Sequence, residues 1–253
     1  RPIWGLLYQF TSRILPQVPI YWQVFALFWR WLSGVLVWAT LRKLFPKQPR
    51  IALTAGLLFL LYPGFNQQWG SYLYSHFFIV LCFFLLSFYL MLHAQKEHYW
   101  LWTSLAMLLS ALNLWMHEYF FTIEIARIGI IWILLREYQL DIQPRIRKAI
   151  KLWAPYLAVF VAAALSRLFI FSNQIYEIGV EGTASPLFEL VGTVFQSLWV
   201  TSFSAWAQAF LLPDFSLQGQ RTILIYIAVI LTVFILTLVF VFQSKEIDDK
   251  QTR

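Results

Sequence analysis

The sequence predicts an all-α polytopic membrane bundle of about seven or eight membrane segments, and three observations carry that expectation. Sixty per cent of the residues are apolar and only 12% are charged, and the mean hydropathy is +0.65, a balance that excludes both an ordinary water-soluble domain and a disordered chain. The apolar residues run in stretches close to the roughly 20 residues that a spanning helix needs. Thirteen Trp and twelve Tyr fit a chain with many crossings, because these side chains gather where helices pass from hydrocarbon to headgroup.

The predicted spans are 20–42, 73–93, 100–116, 119–135, 153–171 and 222–242. Two further stretches are less regular. Residues 51–63 are short and end at Tyr62-Pro63-Gly64, where the proline breaks the helix; residues 187–212 are dotted with Gln196, Ser197, Thr201, Ser202, Ser204 and Gln208, and either span or lie partly in the interface. The whole of 1–253 reads as one integral-membrane domain: an amphipathic stretch over 1–19, a bundle over 20–242 and a polar tail over 243–253. The first residue is Arg1 rather than Met, followed at once by Pro2, so the chain reads as a fragment whose flanking parts lie outside it.

Charge in the connections sets the orientation. RKLFPKQPR at 42–50 and REYQLDIQPRIRKAIK at 136–151 are rich in Arg and Lys, whereas 63–72 has no charge and 172–189 has only Glu177, Glu181 and Glu189. Basic connections face the cytoplasm, which places 1–19 outside, 20–42 running inward and the later spans alternating. The net charge of +7 is thereby accounted for without nucleic acid. Cys82 is the single cysteine and can form neither an intrachain disulfide nor a paired-cysteine zinc motif.

Polar groups at membrane depth are costly unless paired or hydrated, so they are the candidates for function. The segment NLWMHEYFFTIEIARIGIIWILLR over 113–136 holds His117, Glu118, Glu124 and Arg127. At 1.5 Å per residue Glu124 lies about 9 Å and Arg127 about 13 Å deeper than Glu118. Glu124 and Arg127, at i and i+3, are expected to pair as a structural ion pair. Glu118, at the outer end beside His117, is positioned to orient a polar substrate, bind a metal or act as acid or base; the simpler alternative is a solvated interfacial carboxylate. Arg30 stands mid-span, too far from either end to snorkel with ease, and is expected to meet Glu124. Arg167 is near the outer end of its span and can reach an anion there. The connection 62–76 adds Gln67, Gln68, Trp69 and His76, a mixture of amides and rings that suits sugar hydroxyls and ring faces and also occurs as plain interfacial anchoring. Phosphate-binding glycine loops, GxSxG and HExxH are absent; HEYF has no second His four residues after His117.

An Arg1-Pro2 stretch, a span, a basic connection, the phrase LLFLLYPGFNQQW with Phe59 and Pro63, another span, and a short helix ending MHE at His117-Glu118 together resemble the membrane core of the GT-C glycosyltransferases. The chain is similar in this respect to the dolichyl-phosphate-mannose protein mannosyltransferases and their bacterial relatives, over roughly residues 1–172. It departs from them at His117, where Lys is usual. The resemblance implies an inverting transfer of a sugar from a polyprenyl-phosphate donor to an acceptor on the outer face of a bacterial inner membrane, with a divalent metal in some members. It implies that no catalytic base lies in the fragment, the base being upstream of Arg1, and that Glu118 organises the site while Arg167 or Arg1 holds the phosphate. Two other readings stand beside it. One is a transporter or channel using His117, Glu124, Arg127 and Arg30 as a charge path; the other is a membrane protein without chemistry.

Overall fold

A computed structural model describes residues 2–65, 70–117, 121–136, 141–169, 187–209, 219–232 and 234–235. Every regular element among them is helical: α1 (Pro2–Ile14), α2 (Pro19–Leu44), α3 (Pro49–Leu61), α4 (Ser71–Ala94), α5 (Tyr99–Met116), α6 (Ile123–Arg136), α7 (Ile142–Phe169) and α8 (Leu187–Trp199), which runs through a π turn at Val200–Ser204 into α9 (Ala205–Ala209). These helices belong to a unit spanning Arg1–Trp206, with the last residues of α9 in a second unit, Ala207–Arg253. The second unit also contains an apolar helix, α10 (Gln220–Thr232).

Among the described residues three helices are long and apolar enough to cross a membrane: Pro19–Leu44, Ser71–Ala94 and the Ile142–Arg167 part of α7. Burial is distributed as a bilayer requires, with apolar side chains outward and polar ones inward. Leu27 is 62% exposed and Ile125 69%, while Ser33, Ser75, Ser87, Ser110, Asn113 and Arg127 are each 0% exposed.

Helix ends follow local chemistry. Pro19 and Pro49 occupy the first turns of α2 and α3, where the missing N–H costs nothing and the fixed φ is already helical. α3 stops at Leu61 because Tyr62 precedes a proline and takes ψ 118, outside the α region. Its 13 residues cover only about 20 Å at 1.5 Å per residue. α7 begins well before the expected 153, since IQPRIRKAIKL is itself a helical amphipathic segment. Arg145 anchors this extension, donating to the Trp132 carbonyl at 2.6 Å and stacking over the Trp132 ring.

α2 packs against both α3 and α4, α4 against α5, and α7 against α5 and α6. The α2–α3 contact is close because glycines meet there. A Cβ on Gly34 would stand 2.3 Å from Leu60 Cγ, and one on Gly56 would stand 2.9 Å from Trp38 Cβ. Small residues at a helix crossing let dispersion contacts form where lipid offers no hydrophobic drive. Two apolar clusters fill the interior. Leu44, Met91, Leu92, Ile131, Leu135 and Tyr156 pack near the basic helix ends, and Phe84, Phe88, Leu114 and Ala163 pack further along.

Candidate functional site

At the end of the helices opposite the basic connections, α1 lies across the start of α4 and the end of α5. Its contact residues fall at i, i+4 and i+7: Trp4, Tyr8 and Thr11. The Tyr8 ring stacks on His76 with centroids 3.7 Å apart, and the Thr11 hydroxyl stands 2.8 Å from His76 Nε2. His76 Nδ1 lies 2.8 Å from the Tyr72 carbonyl. A carbonyl only accepts, so Nδ1 carries the hydrogen; Nε2 of a neutral ring is then an acceptor for the single Thr11 hydroxyl hydrogen, which the Leu7 and Tyr8 carbonyls at 3.0 and 3.1 Å share with it. His76 is 0% exposed. It serves as the buried hub by which α1 attaches to α4.

Trp4 extends the same cluster to His117, ring to ring at 4.9 Å, and to Phe77 at 5.4 Å. His117 is 2% exposed, and its extended backbone, φ −149 and ψ 128, ends α5. Arg167, from the last turn of α7, donates to the Leu114 carbonyl in the last turn of α5 at 3.3 Å and stands over the Phe121 ring. A cation at a helix C-terminus complements the dipole and satisfies a carbonyl that has no intrahelical partner. Three of the residues singled out from the sequence, His76, His117 and Arg167, are thus placed at one end of the fold. Glu118, Arg1, Gln67, Gln68 and Trp69 lie outside the described residues.

Beside this cluster a cavity of about 460 Å³ opens between the α1–α2 connection and the start of α4, with Ser12, Gln17, Trp22, Ser71 and Tyr72 in its wall. Ser12 and Tyr72 are in hydrogen-bond contact across it at 3.2 Å. Hydroxyls, an amide and two aromatic faces form the combination that recognises a polar ligand with a ring. Burial, reinforced by Tyr72 nearby, pushes the Tyr8 phenol up to about 12, so Tyr8 is neutral at physiological pH.

The deeper charges are arranged differently. Arg127 donates to both oxygens of Glu124, to the Ser87 hydroxyl at 3.1 Å and to Met91 Sδ at 3.7 Å. Its guanidinium lies 4.1 Å from the Tyr156 ring centre and 4.7 Å from that of Phe88. Ser87 in turn donates to the Ala106 carbonyl at 2.7 Å. Arg30 does not meet Glu124. It donates to the Leu60 carbonyl at 2.5 Å and stands over the Phe65 ring. The reason is local: α3 ends short at this depth, and its last carbonyls need a donor more accessible to Arg30 than a carboxylate already held by Arg127.

Among the described residues no three His, Cys, Asp or Glu side chains come together in a way that could hold a metal ion. Thr11, Trp4, Tyr8 and Asn113 had not been singled out from the sequence. The i, i+4, i+7 spacing of Trp4, Tyr8 and Thr11 was the available signal for the first three. Asn113, whose amide donates to the Val80 carbonyl at 3.0 Å, carries no such pattern.

No family model, curated protein or solved structure matches the chain.

Proposed function

We propose that the chain is the membrane core of a polytopic GT-C type glycosyltransferase that moves a sugar from a polyprenyl-phosphate donor to an acceptor on the extracytoplasmic face of a bacterial inner membrane. In this reading the shorter helices α3, α5 and α6, with the segments after 187, complete seven or eight crossings, and the α1 end faces outward. The observation that carries it is the docking of α1 through Trp4, Tyr8 and Thr11 onto His76 and His117. Helix α1, which follows Arg1, and Met116-His117, the described part of the MHE phrase, thereby share one end of the fold. Arg167 and the cavity lined by Ser12, Gln17, Trp22 and Tyr72 lie at that same end.

Each group then has a role set by its place. The donor's isoprenoid tail stays in the bilayer, which puts its phosphate at the headgroup level where Arg167 or Arg1 pairs with it. The polar and aromatic cavity wall receives sugar hydroxyls and a ring face. Glu118 follows His117 directly and organises the donor or a divalent metal, which would act as a Lewis acid on the phosphate when bound. His117, packed against Trp4 and Phe77, fixes the end of α5 from which the chain continues to Glu118. The base that activates the acceptor belongs upstream of Arg1.

The transporter reading has less support, because Glu124 and Arg127 are enclosed by each other, Ser87, Met91 and aromatic rings, and Arg30 is engaged with α3. The test is sugar transfer from a polyprenyl-phosphate donor by the full protein in membrane vesicles. Glu118→Gln is expected to lower the rate by about 10²-fold or more while membrane insertion persists; unchanged transfer rules out Glu118 as the organising group.

A further inference from the structure

The basic ends of α2 and α4 hold a second cavity, of about 470 Å³, with Trp38, Arg42, Lys43, Tyr89, Gln95 and Lys96 among its lining residues. Three cations converge on it, and among the described residues no carboxylate lines it. Lys43 Nζ stands 2.8 Å from His93 Nδ1; an ammonium has only hydrogens to give, so it donates and the imidazole accepts. The same ammonium lies 4.0 Å from the Tyr89 ring centre, and Arg42 lies 5.7 Å from that of Trp38. Lys96 is near enough to repel Lys43. Among the described residues none of the three forms an ion pair. The contacts that hold Lys43 and Arg42 among the described residues, with His93, Tyr89 and Trp38, are thus neutral.

The positive-inside rule explains why Arg and Lys occur in this connection. It does not explain why three of them should surround one cavity with Trp38 and Tyr89 in its wall. From that arrangement we infer that the cavity binds the phosphate headgroup of an anionic membrane lipid. The depth agrees: α2 ends at Leu44 and α4 at Ala94, so the cations stand where a helix long enough to cross the membrane emerges among headgroups. Trp38, about 9 Å deeper than Leu44 at 1.5 Å per residue, offers a face to the upper part of the acyl chains. Basic cavities between membrane helices take anionic headgroups in this manner. The inference rests on the membrane-crossing length of α2 and α4 and is independent of any transferase activity.

The test uses the full chain, purified in neutral detergent and titrated with phosphatidylglycerol, phosphatidylcholine or inorganic phosphate, while bound lipid is followed by native mass spectrometry and thermal stability. Phosphatidylglycerol is expected to bind and raise the melting temperature, with phosphatidylcholine and inorganic phosphate much weaker. Arg42 and Lys96 are exposed, so the double variant Arg42→Gln/Lys96→Gln should fold and should lose about tenfold or more in apparent affinity. The control variant Lys47→Gln/Arg147→Gln removes the same charge from exposed positions outside the cavity and is expected to bind as the parent does. Equal binding of both lipids by the parent chain, equal binding by the Arg42/Lys96 variant and the parent, or an equal loss in the control variant would each overturn the inference; the last would show a diffuse surface charge in place of a site. Inorganic phosphate matching the lipid would overturn it too, by pointing to a soluble anion.

Discussion

Arg127 and Glu124 stand one turn apart on α6, both within 2% exposure of complete burial, and the guanidinium reaches both carboxylate oxygens. Its remaining contacts end on Ser87 and Met91 of α4 and on the rings of Tyr156 and Phe88. The pair therefore ties α6 to α4 and α7 and keeps its charge away from lipid.

Removing one partner alone leaves an uncompensated buried charge. Glu124→Gln or Arg127→Met is expected to cost about 3–5 kcal/mol, whereas the double variant Glu124→Gln/Arg127→Met should recover most of that loss. A double-mutant cycle on unfolding in mixed micelles measures it. Additive losses would show that the two residues act separately.

Gly34 sets the distance between α2 and α3. Its missing side chain leaves room for Leu60, which a Cβ would meet at 2.3 Å. Gly34→Val is expected to destabilise by about 1–3 kcal/mol through overpacking. Leu60→Ala in the same chain should relieve part of that, because the opposing atoms are at the end of a side chain. Thermal unfolding of the three variants checks the rescue; a double variant as unstable as the sum of the singles would refute the contact.

Tyr8 links the docking of α1 to pH. Its phenol is pushed up to about 12 by burial and by Tyr72, from an unperturbed value of about 10. A group that holds its proton more tightly when folded favours docking below the unfolded value, and that contribution is lost as pH rises through the folded one. α1 should therefore loosen between about pH 10 and pH 12 and be unaffected at neutral pH. The difference in phenolate absorbance between the wild type and Tyr8→Phe should titrate near 12; a midpoint near 10 would mean that the Tyr8 hydroxyl is open to water.

Thr11 contributes through His76. Thr11→Val removes the donor to Nε2 and leaves a buried acceptor unpaired, at a cost of about 1–3 kcal/mol. Amide exchange over α1 should quicken while that over α5 is unchanged, which separates undocking of α1 from general unfolding.

The sequence was most legible where one physical constraint acted alone. Spans such as Pro19–Leu44 and Ser71–Ala94 fall within two residues of the expected limits, because hydrocarbon thickness and the flanking proline or basic residues set them locally. The pairing of Glu124 with Arg127 was readable for a similar reason, since i and i+3 neighbours on one helix meet whatever the rest of the chain does. The start of α7 was not, because the charged residues of 142–152 resemble a connection until Arg145 is seen lying on Trp132. Arg30 meets the Leu60 carbonyl and not Glu124, because matching depth along two helices says nothing of which faces meet. Only packing put it beside the last carbonyls of α3.

By itself, then, the sequence determined that the chain is helical, that several stretches suit a bilayer and where its charges gather, all of which follow from composition and period along a single strand of chain. The tertiary structure alone decided which side chains share a neighbourhood: Tyr8 and Thr11 on His76, Trp4 on His117, Arg42, Lys43 and Lys96 around one cavity. Those contacts join residues as far as 113 positions apart, as for Trp4 and His117, and the physical reason is that helix rotation and crossing are set by interlocking surfaces such as Gly34 against Leu60, which no local pattern encodes.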